Sequence, residues 1–291
     1  MSFLGSRLPD DRLPRTALTL YGVPYDATAS FRRGSRFGPD AIRWASNSIE
    51  TYSPALERDL ESVPFADGGN LQVEGLAPAA MVKSLRRQIR PGAFFLLGGE
   101  HTLTLGAVQT VTPYHPDLVV VQWDAHTDLR DEYEGERVCH ATVMRRLLDG
   151  GCPLVQLGIR AGTREEFDLA RERSLHVSRD VGLPDALLRT LRERPLYLSV
   201  DIDVLDPATA PGTGNPEPGG ARYADLVAAL VSLAGHRIVA MDLVEVSPPC
   251  DPGGVTAVVA ASLVREMLLL FAPLYRPQTA SKTRRAFPPM I

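Results

Sequence analysis

Two short segments constrain this chain more than anything else in it: Asp124-Ala125-His126-Thr127-Asp128 and Ser199-Val200-Asp201-Ile202-Asp203-Val204-Leu205-Asp206-Pro207. Each follows an apolar run that reads as a buried strand, Leu118–Trp123 and Leu196–Leu198. On an extended backbone, residues two apart point the same way. Asp124, His126 and Asp128 are therefore expected to project together, as are Asp201 and Asp203. Carboxylates gathered at two strand ends repel one another unless a cation neutralises them. A carboxylate-rich set with one or two imidazoles suits Mn²⁺ better than Zn²⁺.

A third apolar run, Phe94–Leu97, leads into Gly98-Gly99-Glu100-His101. The two glycines permit a tight turn or a close backbone approach, and His101 falls where strand gives way to helix. His101, Asp124, His126, Asp128, Asp201 and Asp203 are too many ligands for one ordinary site. They suit two metals about 3.5–4 Å apart that share bridging carboxylates. His115, His176 and His236 have no acidic company and are assigned structural or solvated positions.

The apolar runs alternate with helix-like stretches. Strands are expected at Leu18–Val23, Phe94–Leu97, Leu118–Trp123, Val155–Ile159, Leu175–Val177, Leu196–Val200 and Ile238–Val246. Helices are expected near Pro39–Ser46, over Met81–Ile89, after His101, and over Ala141–Leu148, Arg164–Arg173, Pro184–Arg192, Tyr223–Leu233 and Val255–Phe271. Continuous apolar strands alternating with helices imply a mainly parallel sheet covered on both faces, a three-layer α/β/α fold. Ligands bind such sheets beyond the carboxyl ends of the strands, where all three metal-type segments lie. The 291 residues are read as a single domain, with a core from about 17 to 271 and flexible N- and C-terminal tails. A chain of this size buries roughly three quarters of its unfolded surface.

Composition excludes more than it assigns. A net charge of −4 gives no electrostatic reason to bind nucleic acid or an anionic membrane. The Arg32-Arg33, Arg145-Arg146 and Arg284-Arg285 pairs read as solvated faces. Cys139, Cys152 and Cys250 show neither zinc spacing nor an even count, which points to a reducing compartment. There is no apolar segment of signal-peptide or membrane-spanning type, so a cytoplasmic protein is expected.

Taken in order, Gly98–His101, Asp124–Asp128, Ser199–Pro207 and Glu245-Val246-Ser247-Pro248 resemble the successive signatures of the ureohydrolase family, which contains arginase and agmatinase. The resemblance implies that family's α/β/α fold, two Mn²⁺ per subunit, and hydrolysis of a guanidino group to urea and an amine. It also implies a homo-oligomer, trimer or hexamer. Carried onto this chain, His101, Asp124, Asp128 and Asp201 would hold one metal. Asp124, His126, Asp201 and Asp203 would hold the other, with Asp124 and Asp201 bridging. Two cations sharing a water can lower its pKa from about 16 towards 7, which attack on a delocalised guanidinium carbon requires. Asp128 is expected to orient that nucleophile, His140 to carry a proton to the leaving amine, and Glu245 to pair with the guanidinium. Four departures stand out: Glu100 where the family usually has Asp, Cys139 and Ala141 around His140, and Asn215 for a more usual Thr.

Arginases typically hold their substrate's α-groups with an Asn and a Ser in the loop after Asp128, and with a later Asp. This chain lacks the Asn and Ser in Leu129–Arg137 and has Thr163 where that Asp would fall. Asp131, Glu132, Glu134 and Glu136 make the loop acidic, which is expected to favour a substrate ending in an amine, agmatine or aminopropyl-agmatine. Arginine, guanidinobutyrate and formiminoglutamate are the alternative substrates. A non-catalytic homologue would be expected to have a damaged ligand set, and a single-zinc deacetylase-like hydrolase would leave the second carboxylate pair unexplained.

Overall fold

The structure is a computed structural model that describes residues 1–6, 17–90 and 92–272. In chain order the elements are β1 (Leu18–Val23), α1 (Gly38–Ser46), β2 (Tyr52–Ser53), β3 (Arg58–Asp59), β4 (Phe65–Asn70), α2 (Pro78–Gln88), β5 (Phe94–Gly98), α3 (Leu103–Val111) and β6 (Val119–Trp123). There follow α4 (Val143–Asp149), β7 (Leu154–Leu157), α5 (Arg164–Arg173), β8 (His176–Ser178), α6 (Asp185–Leu191), β9 (Pro195–Asp201), α7 (Tyr223–Ser232), β10 (Arg237–Val244) and α8 (Val255–Phe271). Eight strands form one sheet in the order β4-β1-β5-β10-β9-β6-β7-β8, with neighbours parallel throughout.

The sheet separates two apolar cores, as a strand buried on both faces requires. On β5, Phe95 and Leu97 enter the core built with α1, α6, α7 and α8, while Phe94 and Leu96 enter the core built with α2, α3, α4 and α5. The three-layer fold is the expected one. Register then positions the site: Leu97, Leu243, Val200 and Trp123 form one row across the four central strands β5, β10, β9 and β6. Asp124 and Asp201 stand one residue beyond that row, Glu245 two and His101 four.

Two strand features escaped the sequence reading. The hairpin β2–β3 is only two residues per strand. The edge strand β4 reads Phe-Ala-Asp-Gly-Gly-Asn, a composition with little strand preference. Tertiary contacts hold it there. A Cβ at Gly68 would lie 2.4 Å from the Tyr21 ring, so β4 can approach β1 only with glycine at that point. Asp67 takes both ends of a bidentate pair from Arg43 of α1, at 2.8 and 2.9 Å, with both side chains buried.

The flexible N-terminal tail needs correction in its first residues. Phe3 is buried, meets Phe65 edge-on at 6.3 Å, and donates its N–H to Asp67 at 2.8 Å. The C-terminal tail, residues 273–291, and with it the Arg284-Arg285 pair, lies outside the described residues. Helix α2 begins a turn earlier than expected because Pro78 suits a first helical turn.

Asp67 thus ties β4, α1 and the N-terminus together. Replacing it by alanine removes the bidentate partner of the buried Arg43 guanidinium and leaves only Nη1 with partners, Asn70 and the exposed Asp40. Breaking a buried pair typically costs about 3–5 kcal/mol. Asp67→Ala is expected to lower stability by that amount in urea unfolding, and a loss below about 1 kcal/mol, the range of a surface pair, would contradict this account.

Candidate metal centre and active site

The site is assembled where chain segments leave the four central strands. After β5, a Cβ at Gly99 would fall 2.1 Å from the Tyr25 carbonyl, so only glycine allows the segment past residues 23–25. Gly99 and Glu100 then donate to Val23 and Tyr25 carbonyls at 3.0 and 2.7 Å. After β10, Glu245 has φ +66° and accepts the His101 N–H at 2.8 Å. A left-handed backbone at a non-glycine residue is strained and persists where the surroundings impose it.

The extended backbone expected through Asp128 and Asp203 is not what brings the ligands together. Strand β6 ends at Trp123, and Asp124 turns back to accept the His126 N–H at 2.6 Å. Asp128 adopts φ +54°. Asp201 ends β9 and accepts the Asp203 N–H at 2.9 Å, opening a single 3₁₀ turn over Ile202–Val204. The ligands converge through aspartate-capped turns instead of strand periodicity.

Two groups result. His101 Nδ1 lies 3.1 Å from Asp124 Oδ2, 3.0 Å from Asp128 Oδ2 and 3.5 Å from Asp201 Oδ2. His126 Nδ1 lies 2.8 Å from Asp203 Oδ2 and 3.6 Å from Asp124 Oδ1. Asp124 thus faces both histidines, one with each oxygen. His101, Asp124 and Asp201 present ligand atoms mutually within 4.8 Å, and so do Asp124, His126 and Asp203. His101 Nδ1 is buried without a hydrogen-bond partner, an unmet requirement that a cation at the centre of its three carboxylate neighbours would meet. The donor set therefore fits divalent cations.

Supporting residues that the sequence reading missed hold these ligands in place. His101 Nε2 contacts Ser199 Oγ at 2.8 Å, and Ser199 donates to Asp242 Oδ1 at 2.7 Å. Asp242, wholly buried on β10, also accepts from Tyr197 and Thr104. A carboxylate interrupting the apolar run of β10 was the signal that could have found it. Gln122 donates to Asp124 at 2.7 Å, and the Asn215 amide meets His126 Nε2 at 3.2 Å. Such partners orient a ligating imidazole and choose its tautomer.

Electrostatics express the crowding. Burial, then the Asp124 charge, pushes the Asp128 carboxyl up to about 7. Burial and the neighbouring Asp203, Asp124 and Glu245 hold Asp201 well above the usual carboxylate range. Glu245 is raised to about 8 by burial and by Glu100. Burial opposes protonation of His126, but Asp203 and Asp124 outweigh it and raise the imidazole to about 12. Without a cation, the cluster retains protons to relieve its own repulsion.

Above the ligands opens a cavity of about 330 Å³ lined by Asp128, His140 and Glu245 among others. Its outer wall corrects two expectations. Asp131, Glu132, Glu134 and Glu136 are exposed and line none of it, and Asp131 is bound by Arg137 and Arg146. The loop instead presents Arg130, stacked 4.8 Å over Tyr133, to the cavity. The carboxylates of the wall come from elsewhere, Glu166 on α5 and Glu217. Arg32, expected on a solvated face, also lines the cavity and donates to the Thr213 and Gly214 carbonyls. Arg145 and Arg146 pair with Asp149.

Residues 16–270 match the sequence profile of the Arginase family. The chain belongs to the arginase family, and it is a hydrolase. Family membership makes it metal-dependent, in accord with the donor set. It is 42% identical to an agmatinase of Bacillus anthracis over 263 residues, 87% of this chain and 91% of that one. It is 40% identical to the N(1)-aminopropylagmatine ureohydrolase of Thermococcus kodakarensis over 84% of this chain and 87% of that one. Among solved structures, the proclavaminate amidino hydrolase of Streptomyces clavuligerus superposes with a TM-score of 0.83 at 34% identity, covering 93% and 96% of the two chains.

For an arginase-family site of this kind, cation binding must displace protons. Were Asp128 and His126 to coordinate, Asp128, near 7, would have to ionise and His126, near 12, would have to become neutral. Both changes release protons, so apparent affinity for a divalent ion is expected to rise with pH between about 6 and 8. Calorimetric titrations in buffers of different ionisation enthalpy test this, and buffer-independent heats would refute it.

Proposed function

We propose that this protein hydrolyses the guanidino group of agmatine, or of aminopropyl-agmatine, to urea and a polyamine, with two Mn²⁺ per subunit. Identity of about 40% to agmatinases across most of the chain carries this reading, together with an intact ligand set beneath an open cavity. His101, Asp124, Asp128 and Asp201 would hold one ion, and Asp124, His126, Asp201 and Asp203 the other. Bound ions supply the Lewis acidity that lets water act as a nucleophile at neutral pH.

The protein's own groups do the rest. Asp128, on its left-handed backbone, accepts a hydrogen bond from the attacking water and fixes its direction. Glu245 lines the cavity and uses Oε1 for the His101 N–H, which leaves Oε2 for the guanidinium. A guanidinium there would favour the ionised form of a carboxyl that burial otherwise raises. Burial holds the His140 imidazole below its ordinary range, so it is neutral at pH 7. It therefore takes up a proton first and then delivers it to the leaving amine.

The substrate's far end would meet Glu217, which favours a terminal ammonium, while Glu166 is already committed to Thr127, Leu129, Thr163 and Arg130. Arg130 supports a second reading, a substrate ending in carboxylate. A guanidinobutyrase of Pseudomonas aeruginosa is 35% identical over 88% of this chain. Initial rates on agmatine, guanidinobutyrate and arginine decide between them. The kcat/KM for agmatine is expected to exceed that for either acid by about 10²-fold, equivalent to roughly 2.7 kcal/mol of transition-state discrimination. Guanidinobutyrate cleaved as fast as agmatine, with that activity lost in Arg130→Ala, would establish the second reading instead.

The metal assignment has its own test. Asp124→Ala removes the carboxylate that faces both histidines, and elemental analysis is expected to show both ions lost. Asp203→Ala should weaken chiefly one. Two ions retained in Asp124→Ala would rule out its bridging role.

We further infer a cytoplasmic homo-oligomer, a trimer or hexamer. All three cysteines are free, and no described helix is long and apolar enough to cross a membrane. Helices α1 and α8 adjoin, and exposed Trp44 on α1 and exposed Val255 and Val258 on α8 support a covered apolar surface.

A further inference from the structure

We propose that Thr28, backed by Glu100, is a positioning residue that fixes the tautomer of His140. The inference rests on the reading of His140 as the proton carrier. Glu100 is fully buried, and three donors converge on it. Thr28 N reaches Oε2 at 2.8 Å, Thr28 Oγ1 reaches Oε1 at 2.5 Å, and Thr102 Oγ1 reaches Oε1 at 2.7 Å. On the other side, Thr28 Oγ1 lies 3.3 Å from His140 Nδ1 and 3.4 Å from the His140 N–H.

A hydroxyl has one proton and two lone pairs. Thr28 commits its proton to Glu100, so towards His140 it can only accept. Nδ1 of His140 therefore carries hydrogen, and Nε2 keeps the lone pair of the neutral ring. Nε2 stands 3.4 Å from Ser30 Oγ, and Ser30 lines the cavity. The Tyr133 ring, edge-on at 5.8 Å and 83°, packs against the imidazole and limits its rotation. The nitrogen left to accept and return a proton is thus the one on the Ser30 side.

This arrangement gives Glu100 a role. Its backbone is pinned by the 2.7 Å bond to the Tyr25 carbonyl, and its side chain must span from there to the segment carrying Thr28. Glutamate has one methylene more than aspartate for that reach. The same segment is closed further along by the Gly34 N–H on Asp26 at 2.9 Å, so Thr28 is held by a fixed backbone at both ends.

The test uses the manganese-loaded enzyme and four variants: Thr28→Val, Thr28→Ser, His140→Asn and the Thr28→Val/His140→Asn double change. Thr28→Val keeps the shape but removes the acceptor. It is expected to lower kcat about tenfold or more, short of the roughly 10²–10⁴ expected for losing the imidazole itself, with KM and manganese content unchanged. Thr28→Ser restores the hydroxyl and should recover most of the rate. In the His140→Asn background, Thr28→Val should have no further effect, because no ring remains to orient. Wild-type kcat in Thr28→Val beside a slow His140→Asn would overturn the role of Thr28 alone. A further tenfold loss in the double variant, or loss of manganese in Thr28→Val, would also overturn it. Near wild-type kcat in His140→Asn would instead overturn the proton-carrier reading on which it rests.

Discussion

Mutual repulsion among buried carboxylates governs this molecule. Asp124, Asp128, Asp201 and Asp203 are buried and Glu245 is partly so, and all lie at or just beyond the ends of adjacent strands. Coulomb energy between such groups grows as the local dielectric falls, and a protein interior cannot leave it uncompensated. The raised carboxyls of Asp128, Asp201 and Glu245 are one form of compensation, protons held against their ordinary affinity. Divalent cations are the other. The arginase-family fold provides a rigid parallel sheet able to hold these groups at close range.

Rigidity comes from polar residues embedded in apolar strands. Asp242 fixes Ser199, Ser199 meets His101, and Gln122 fixes Asp124, each from inside the sheet. Glu166 does the same from α5: it accepts from Thr127 Oγ1 and the Leu129 N–H, the two residues flanking Asp128. Those bonds help to hold Asp128 at φ +54°. Buried polar networks of this sort are costly when incomplete, and here they are closed around the ligands.

The fold was legible because its periodicity is strong. Runs such as Phe94–Leu97 and Leu118–Trp123 are apolar on both faces, which only a covered parallel strand requires, and α5 and α8 begin and end where their patterns do. Strand β4 was not legible, since Gly68 and Asp67 are strand residues only through Tyr21 and Arg43. Phe3 was invisible for the same reason: its partners, Phe65 and Asp67, are more than sixty residues away. At the site, the converging donors were legible because aspartate and histidine cluster locally, within Asp124–Asp128 and Asp201–Asp203. The acidic loop misled because net charge carries no direction. Asp131 turns outward to Arg137 and Arg146, while Arg130 beside it turns in.

What the sequence determined by itself was the chemistry: the donor types, their order, and the strand ends on which they sit, because local pattern and charge repulsion leave few other solutions. Tertiary structure alone decided how the donors meet. It set aspartate-capped turns in place of extended strands, joined Asp242 to His101 through Ser199, and brought Thr28 between Glu100 and His140 from far along the chain. Those partners are separated by tens of residues, and sequence pattern reports only on neighbours. Distance along the chain is what a packed sheet removes.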